Sequence, residues 1–249
     1  MRTAARPTSL QATLEEQERI WQERPVLRRL YRDWYRLIRE CVADVPGPII
    51  ELGAGTAHFK DACPQAIATD VEPTSWAEEV VDAQQLPYSD GSVANLILID
   101  VFHHLARPAR FFDECSRVLV PGGRVVILDP YCSTLSTLAY EHFHHEDTDL
   151  DVPPLADASQ LERAALASNQ ARATLVFFRA VDQFRARWPE LRIVVRRRLS
   201  FLLYPLSGGY SKRALVPAAL YRPLSLLERV LQPLAPVAAF RCLVVLERR

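Results

Sequence analysis

The sequence predicts an α/β fold built on a mostly parallel sheet. Short apolar runs alternate with helical patterns between residues 49 and 128, which is typical of strand–helix–strand units. Two of these runs, 94–99 and 124–128, are almost continuously apolar, as in strands with two buried faces. With 249 residues, 49% of them hydrophobic, the chain can bury a sizeable core without disulfides or a structural metal.

The elements follow one another in four predicted regions. Residues 1–46 form an N-terminal helical cap, with Thr8 and Ser9 as candidate N-caps and a break at Pro25. Residues 47–131 form the core: strands at 49–52, 66–69, 79–81, 94–99 and 124–128, a short helix ended by Pro64, and a helix at 111–119.

The two remaining regions complete the sheet. Residues 132–190 are a helical lid insertion, too long for a plain connection, with helices at 133–145, 158–168 and 172–187. Residues 191–249 carry apolar segments between two last strands, 191–196 and 240–247.

Cysteine usage and the N-terminus favour a cytoplasmic protein. The five cysteines are widely spaced and form no C-x-x-C pair, which argues against a disulfide framework and a zinc knuckle. The N-terminus has no apolar core of signal-peptide length, and no stretch of about 18 apolar residues predicts a transmembrane helix. The net charge of zero gives no reason to expect nucleic acid as a partner.

Charge is divided along the chain. Residues 70–160 hold 16 acidic and 4 basic residues, whereas residues 185–249 hold 3 acidic and 13 basic ones. One interpretation is that the two regions pack together and compensate each other. The other is a basic, apolar C-terminal face for an anionic partner, including a peripheral membrane contact. The sequence does not determine the oligomeric state.

The strongest local motif joins the first strand to a glycine turn. Glu51 and Leu52 run into Gly53-Ala54-Gly55, where glycines permit positive φ and close approach to a ligand. A G-x-G alone also fits a plain turn. A dinucleotide site would need a third glycine at position 58, which is His58, so a nicotinamide or flavin cofactor is disfavoured.

Two further acids follow at spacings that suit a nucleoside. Asp70 ends the second strand, where an acidic residue can accept both hydroxyls of a ribose. Asp82, followed by Ala83 and Gln84, ends the third, and a carboxylate with a backbone N–H could read an adenine edge. Taken singly, either acid also fits a solvated strand end or a turn cap.

These motifs together resemble the class I S-adenosylmethionine-dependent methyltransferases, in the branch called methyltransferase type 11, over residues 47–131. The segments Asn95–Leu105 and Arg117–Val125 resemble the family's fourth strand and the turn before its fifth. The resemblance implies a Rossmann-like, doubly wound sheet of seven strands in the order 3-2-1-4-5-7-6, with strand seven antiparallel. Eleven residues separate Asp70 from Asp82, so the helix usually found there is very short or missing.

The resemblance also implies S-adenosyl-L-methionine as cofactor and assigns residues to it. Glu51, Gly53, Ala54 and Gly55 match the motif that holds the methionine part of the cofactor. Asp70 matches the ribose-binding acid, and Asp82 with Ala83 matches the adenine-binding pair. Val71, Gln84 and Asp100 adjoin these motifs and complete the predicted cofactor site.

Histidines supply the candidates for proton transfer. His103 and His104 follow the fourth strand at the carboxyl edge of the sheet, where one of them could act as a general base. The alternative is that one caps the loop and the other packs beside the cofactor.

Candidate acceptor contacts lie in and beside the lid. Tyr131, His142, His145 and Asn169 are the predicted acceptor contacts. His142, His145 and Glu146 could alternatively bind a metal or form a solvated helix end; H-E-x-x-H spacing is absent, and no metal is predicted.

The leading hypothesis is methyl transfer from S-adenosylmethionine to a small acceptor, which the apolar C-terminal segments suggest is apolar or lipid-like. A non-catalytic cofactor-binding module of the same fold is one alternative. A nicotinamide-dependent oxidoreductase is another, disfavoured by His58 and Glu51.

Overall fold

One seven-stranded sheet organises the residues that the structure describes. The structure is a computed structural model, and it describes residues 9–143, 148–155 and 168–249, without the side chains of 141–143. The strands are β1 (Ile49–Leu52), β2 (Ala66–Asp70), β3 (Glu79–Val80), β4 (Val93–Ile99), β5 (Leu119–Pro130), β6 (Leu191–Leu199) and β7 (Arg241–Arg248). Their order is β3-β2-β1-β4-β5-β7-β6, with β7 antiparallel to both neighbours. The predicted fold class and strand order are confirmed.

The antiparallel direction of β7 brings its first residue to the carboxyl edge of the parallel strands. Arg241 is in register with Pro130 at the end of β5 and with Leu199 at the end of β6. The glycine turn after β1 and Asp70 at the end of β2 lie at the same edge. This is the edge at which open α/β sheets bind ligands.

Helices cover both faces of the sheet. The N-terminal helices are α1 (Leu10–Glu23), capped by the Ser9 hydroxyl, and α2 (Pro25–Cys41), which begins at a proline, as predicted. Buried α2 residues such as Trp34 share a hydrophobic cluster with Ile97 and Val126 of the sheet. On the other face, α3 (Pro108–Val118) buries Phe111 and Phe112.

Two predicted connections differ from the observed ones. The helix expected after the glycine turn is only a 3-10 turn, His58–Asp61, because the loop extends to Ala57 and Pro64 disfavours helix before it. The turn predicted within Arg117–Val125, at Pro121-Gly122-Gly123, lies inside β5 instead, beside a register shift in the β4–β5 pairing. A Cβ at Gly123 would lie 2.8 Å from the Ala94 carbonyl oxygen, so this irregularity requires glycine. Between β2 and β3, residues 71–78 form no helix, as predicted.

Residues 131–190 connect β5 to β6. The helix α4 (Thr134–Phe143) begins close to the predicted residue. The helix predicted at 172–187 is interrupted: α5 (Arg172–Thr174), a π-helix (Leu175–Arg179) and α6 (Val181–Arg187) follow one another. The Ala180 N–H donates to the Leu175 carbonyl five residues earlier, which widens the turn. The helix predicted at 158–168 lies outside the described residues, apart from its last residue.

Residues 200–240 connect β6 to β7 at the carboxyl edge. They contain α7 (Leu203–Ser207), α8 (Tyr221–Val230) and α9 (Ala235–Ala238). Across the described parts of the chain, no helix combines the length and the apolar character needed to cross a membrane.

Candidate functional site

The glycine turn after β1 is held against β2 and β4. Gly53 has φ of +66°, and a Cβ on it would lie 2.6 Å from Val101 Cγ2, so only glycine fits. The Ala54 N–H donates to the Thr69 carbonyl over 2.8 Å, and the Gly55 N–H donates to Asp70 Oδ2 over 3.1 Å. These bonds fix the turn beside the end of β2.

Asp70 joins this turn to the loop after β2. Its Oδ2 accepts from Gly55, and its Oδ1 accepts from the Val71 N–H over 2.8 Å. Burial raises the pKa of Asp70, and these backbone donors oppose the shift. Each carboxylate oxygen retains a second lone pair, so Asp70 can still accept from a ligand's hydroxyls. Val71 contributes its N–H here, while its side chain is half exposed.

Glu51 is the most strongly perturbed acid of the turn. It is buried in β1, its Oε2 has no hydrogen-bond partner among the described residues, and burial raises its pKa to about 8. A buried carboxyl group without a donor is costly. A cationic donor at this position would satisfy it, so the turn fits a ligand that carries an ammonium group.

The Asp82 segment forms a capped turn. Asp82 Oδ1 accepts from the backbone N–H of Gln84 over 2.8 Å and from its Nε2 over 3.2 Å. Gln84 Oε1 in turn accepts from the Arg107 N–H over 2.6 Å. Asp82 is exposed and Ala83 is buried. The turn is thus tied to the loop before α3, and the Asp82 contacts use only one of its two carboxylate oxygens.

Asp100 at the end of β4 is held by residues distant in sequence. It has φ of +58°; its Oδ1 lies 2.7 Å from Arg241 Nη1, and its Oδ2 accepts from the Tyr31 hydroxyl over 2.7 Å. Arg241 is itself buried, between the rings of Trp34 and Tyr204. Tyr31 and Arg241 belong to the terminal regions, where no motif in the sequence marks them as partners of Asp100.

His103 pairs with Asp129, an acid that was not among the predicted site residues. His103 Nδ1 lies 2.9 Å from Asp129 Oδ1, and both side chains are buried. Burial raises the pKa of Asp129, and the neighbouring His103 opposes that shift. A carboxylate at Nδ1 fixes the proton there and makes Nε2 the basic nitrogen. The sequence signal that could have identified Asp129 is the position of this acid near the end of a buried strand.

His104 lies beside this pair. Its ring centroid is 4.1 Å from that of His103, in the same 3-10 turn, Phe102–His104, and its side chain is only partly buried. Both histidines therefore lie at the carboxyl edge, as predicted from their position after the fourth strand.

The candidate acceptor residues have different environments. The Tyr131 hydroxyl accepts from Arg198 Nε over 2.8 Å, and its ring contacts Phe178. The side chain of His142, and all of His145, lie outside the described residues. Within the described ranges, no three His, Cys, Asp or Glu side chains group as metal ligands.

Asn169 connects the lid insertion to the histidine turn. Its Oδ1 accepts from the N–H of Asp149, its Nδ2 donates to the Asp149 carbonyl over 3.0 Å, and its own N–H donates to the His103 carbonyl over 3.0 Å. The segment 148–155 is thereby attached directly to the histidine turn.

The helix α1 lies across the glycine turn. Glu18 Oε2 is 2.6 Å from His58 Nε2, and Trp21 stacks on the His58 ring with centroids 4.1 Å apart. Gln11 exchanges hydrogen bonds with Ser75, in the loop after Asp70. The helix therefore contacts both loops that meet at Asp70, and His58 is one of its attachment points.

Comparison with known proteins agrees with this site. A family model described as a methyltransferase domain matches residues 50–127. Two proteins from strains of Mycobacterium tuberculosis, named as probable S-adenosylmethionine-dependent methyltransferases, are each 33% identical over 117 residues. The alignment covers 41% of this chain and 42% of theirs, so the chain matches less than half the length of these relatives.

Solved structures share the fold. Geranyl diphosphate C-methyltransferase from Streptomyces coelicolor, solved with S-adenosyl-L-homocysteine, is 14% identical, with a TM-score of 0.53 over 90% of this chain and 80% of that one. A SAM-dependent methyltransferase from Archaeoglobus fulgidus is 12% identical, with a TM-score of 0.51 over 89% and 94%.

Three observations now converge: the glycine turn with its buried acid, the strand order with an antiparallel β7, and the family match over the core. Residues 50–127 thus match a methyltransferase domain, and the sheet has the strand order of the class I S-adenosylmethionine-dependent methyltransferase fold.

Proposed function

We propose that this protein transfers the methyl group of S-adenosylmethionine to a small-molecule acceptor at the carboxyl edge of its sheet. The observation that carries the proposal is the unsatisfied, buried Glu51 carboxyl beside a glycine turn that is tied to Asp70. A ligand with both an ammonium group and ribose hydroxyls would complement the two acids together.

These contacts support the cofactor-binding roles that we propose. Glu51 holds the ammonium group, and the Gly53–Gly55 turn lets the backbone approach the methionine part. Asp70 accepts from the ribose hydroxyls with its remaining lone pairs. Asp82, Ala83 and Gln84 border the adenine. Val71 orients Asp70 through its N–H, and Asp100 shapes the edge beside the turn through Arg241.

Bound S-adenosylmethionine supplies an electrophilic methyl group on a sulfonium. The protein's own contribution is to hold the acceptor atom in line with that group; orientation of this kind can supply about 7–11 kcal/mol. His103 accepts the acceptor's proton at Nε2, and Asp129 stabilises the resulting imidazolium. His104 is the alternative base.

The acceptor side is aromatic and partly covered. Tyr131 and Phe178 form its wall, and Asn169 attaches the lid insertion to the histidine turn. An apolar or lipid-like acceptor suits such a wall, with His142 and His145 as further contacts from the insertion. In this proposal Tyr131 forms part of the wall that the acceptor contacts, and Asn169 holds the lid insertion against the histidine turn.

Cofactor identity is tested by calorimetric titration. S-adenosylmethionine should bind and NAD should not. The Asp70→Ala variant should bind S-adenosylmethionine at least about tenfold more weakly with its fold intact, because charge-assisted hydrogen bonds of roughly 1.5–3 kcal/mol are lost. Unchanged affinity in this variant would place the ribose elsewhere, and binding of NAD instead would overturn the proposal.

Turnover is tested by release of S-adenosylhomocysteine in the presence of candidate acceptors. Cofactor binding without turnover across small apolar acceptors would favour a non-catalytic module of the same fold.

A further inference from the structure

The helix α8 turns apolar side chains towards solvent. Pro223, Leu226, Leu227 and Val230 recur at the spacing that places side chains on one helix face. Leu226 is 60% exposed and Val230 is 74% exposed. An amphipathic helix on a globular protein normally directs such a stripe into the core, whereas α8 directs it towards solvent.

The opposite face of α8 fixes that orientation. Tyr221 is buried, and its hydroxyl donates to Asp33 Oδ2 over 2.6 Å. Glu228 accepts from the backbone N–H groups of Phe201 and Leu203, each over 3.0 Å. The helix is thus anchored by its polar side, and rotation to bury the leucines would break these hydrogen bonds.

The exposed apolar surface continues beyond α8. We name it the apolar platform and define it by its exposed large side chains between β6 and β7: Leu215, Leu220, Leu226, Leu227, Val230, Leu234 and Val237.

Within the segment that carries the platform, the exposed charges all have one sign. Between residues 208 and 240 the basic residues are Lys212, Arg213, Arg222 and Arg229, all exposed. The single acid in this segment, Glu228, points inward to the backbone of 201–203. A segment that combines exposed leucines with exposed basic residues complements the boundary between headgroups and acyl chains of an anionic bilayer.

The platform lies at the functional edge of the fold. The segment leaves β6 after Leu199 and enters β7 at Arg241, both at the carboxyl edge. Its helix α9 contacts α4, which adds exposed Leu135 and Leu138 from the lid insertion. A membrane bound here would face the side of the protein that carries the histidine turn.

From these contacts and charges we infer that the apolar platform docks on an anionic lipid bilayer, with its leucines at the acyl boundary and its four basic residues at the headgroups. The helix α8 would lie in the plane of the interface rather than span it. This inference is independent of the methyl transfer proposed above.

Vesicle cosedimentation tests the docking. The full chain should bind vesicles in which about a third of the lipid is phosphatidylglycerol, and it should bind pure phosphatidylcholine at least about tenfold more weakly. Raising the salt concentration to about 0.5 M should weaken binding, because the Debye length shortens.

The Leu226→Gln/Leu227→Gln variant should lose roughly tenfold or more in partitioning, since two apolar anchors are removed. Arg229→Gln should lose about fivefold.

Matched controls separate the platform from general surface effects. Val80→Gln removes an exposed apolar side chain from β3, at the opposite end of the sheet, and Arg110→Gln removes an exposed charge from α3. Neither should change vesicle binding, and all four variants should melt at the temperature of the parent protein. In addition, a Leu226→Trp variant should shift its emission to the blue on anionic vesicles and be quenched by brominated acyl chains.

Three results would overturn the inference. They are no binding to anionic vesicles, equal binding to neutral and anionic vesicles, and equal loss in the Val80→Gln control and the platform variant. Self-association that Leu226→Gln/Leu227→Gln abolishes, without vesicle binding, would identify the platform as an interface between copies of this chain.

Discussion

At the scale of single residues, Asp129 determines how His103 can act. The variant Asp129→Asn keeps the side-chain shape but removes the carboxylate that fixes the proton at Nδ1 and stabilises the imidazolium. We expect kcat to fall by about 10²–10⁴ while the affinity for S-adenosylmethionine stays unchanged. A loss of only a few-fold would indicate that alignment of the acceptor is the whole mechanism and that Asp129 has a packing role. The variant His104→Gln is the control for the second candidate base.

The raised pKa of Glu51 leads us to predict that the affinity for the cofactor depends on pH. Its pKa of about 8 in the free protein means that it is protonated at pH 6, whereas the ammonium group of the cofactor favours the carboxylate. Binding therefore releases a proton, and affinity should rise with pH, by up to about tenfold per unit between pH 5.5 and 7, where the ammonium group keeps its charge. Isothermal titration in two buffers of different ionisation enthalpy measures the proton release. In Glu51→Gln the pH slope should vanish; a slope retained in that variant would assign the titration to another group.

At the scale of elements, the contacts of α1 lead us to predict that it covers the proposed cofactor site. It contacts His58 through Glu18 and the loop after Asp70 through Gln11, so bound cofactor should order α1 along with both loops. Hydrogen exchange in residues 10–23 should slow when S-adenosylhomocysteine binds. The Gln11→Ala/Glu18→Gln variant should exchange faster and release the cofactor several-fold more quickly. Glu16→Gln is the control, because Glu16 pairs with Arg19 inside α1 itself. Hydrogen-exchange rates in α1 that stay the same when S-adenosylhomocysteine binds would contradict a covering role.

Elements with strong local signals were the ones that the sequence could predict. The strand ends at Leu52 and Asp70 were predicted correctly because an apolar run meets a glycine or an acid there. The break between α1 and α2 followed from Pro25. The π-helix at Leu175–Arg179 could not be predicted, since helical periodicity continues through it and its Phe177 and Phe178 rings contact rings that are distant in sequence.

At the scale of the whole molecule, the site depends on residues that no local pattern connects. The motifs that predict cofactor binding lie within one continuous segment, 51–84, so local patterns in the sequence are enough to point to them. The partners of Asp100 come from α2 and from β7, more than 60 residues away on either side, and only the antiparallel insertion of β7 brings Arg241 to the carboxyl edge. Long-range ion pairs of this kind leave no periodicity in the sequence.

The ion pair of Arg241 with Asp100 therefore leads to a prediction about the thermal stability of the protein. The variant Arg241→Gln removes a buried cation and leaves the Asp100 carboxylate, whose side chain is 24% exposed, unpaired at the junction of α2, β4 and β7. Breaking one side of a fully buried pair costs about 3–5 kcal/mol, and the partial exposure of Asp100 reduces the expected cost to about 2–3 kcal/mol. For a domain of this size that lowers the melting temperature by roughly 4–12 °C. The matched control is Arg192→Gln on β6, whose pair with Glu247 is half exposed and contributes about 0–1 kcal/mol. The double variant Arg241→Gln/Asp100→Asn should recover part of the loss, since no uncompensated charge remains. Thermal unfolding of the parent protein, the two single variants and the double variant measures these differences. Equal melting temperatures for Arg241→Gln and Arg192→Gln would show that the Arg241–Asp100 pair does not join the terminal regions to the sheet.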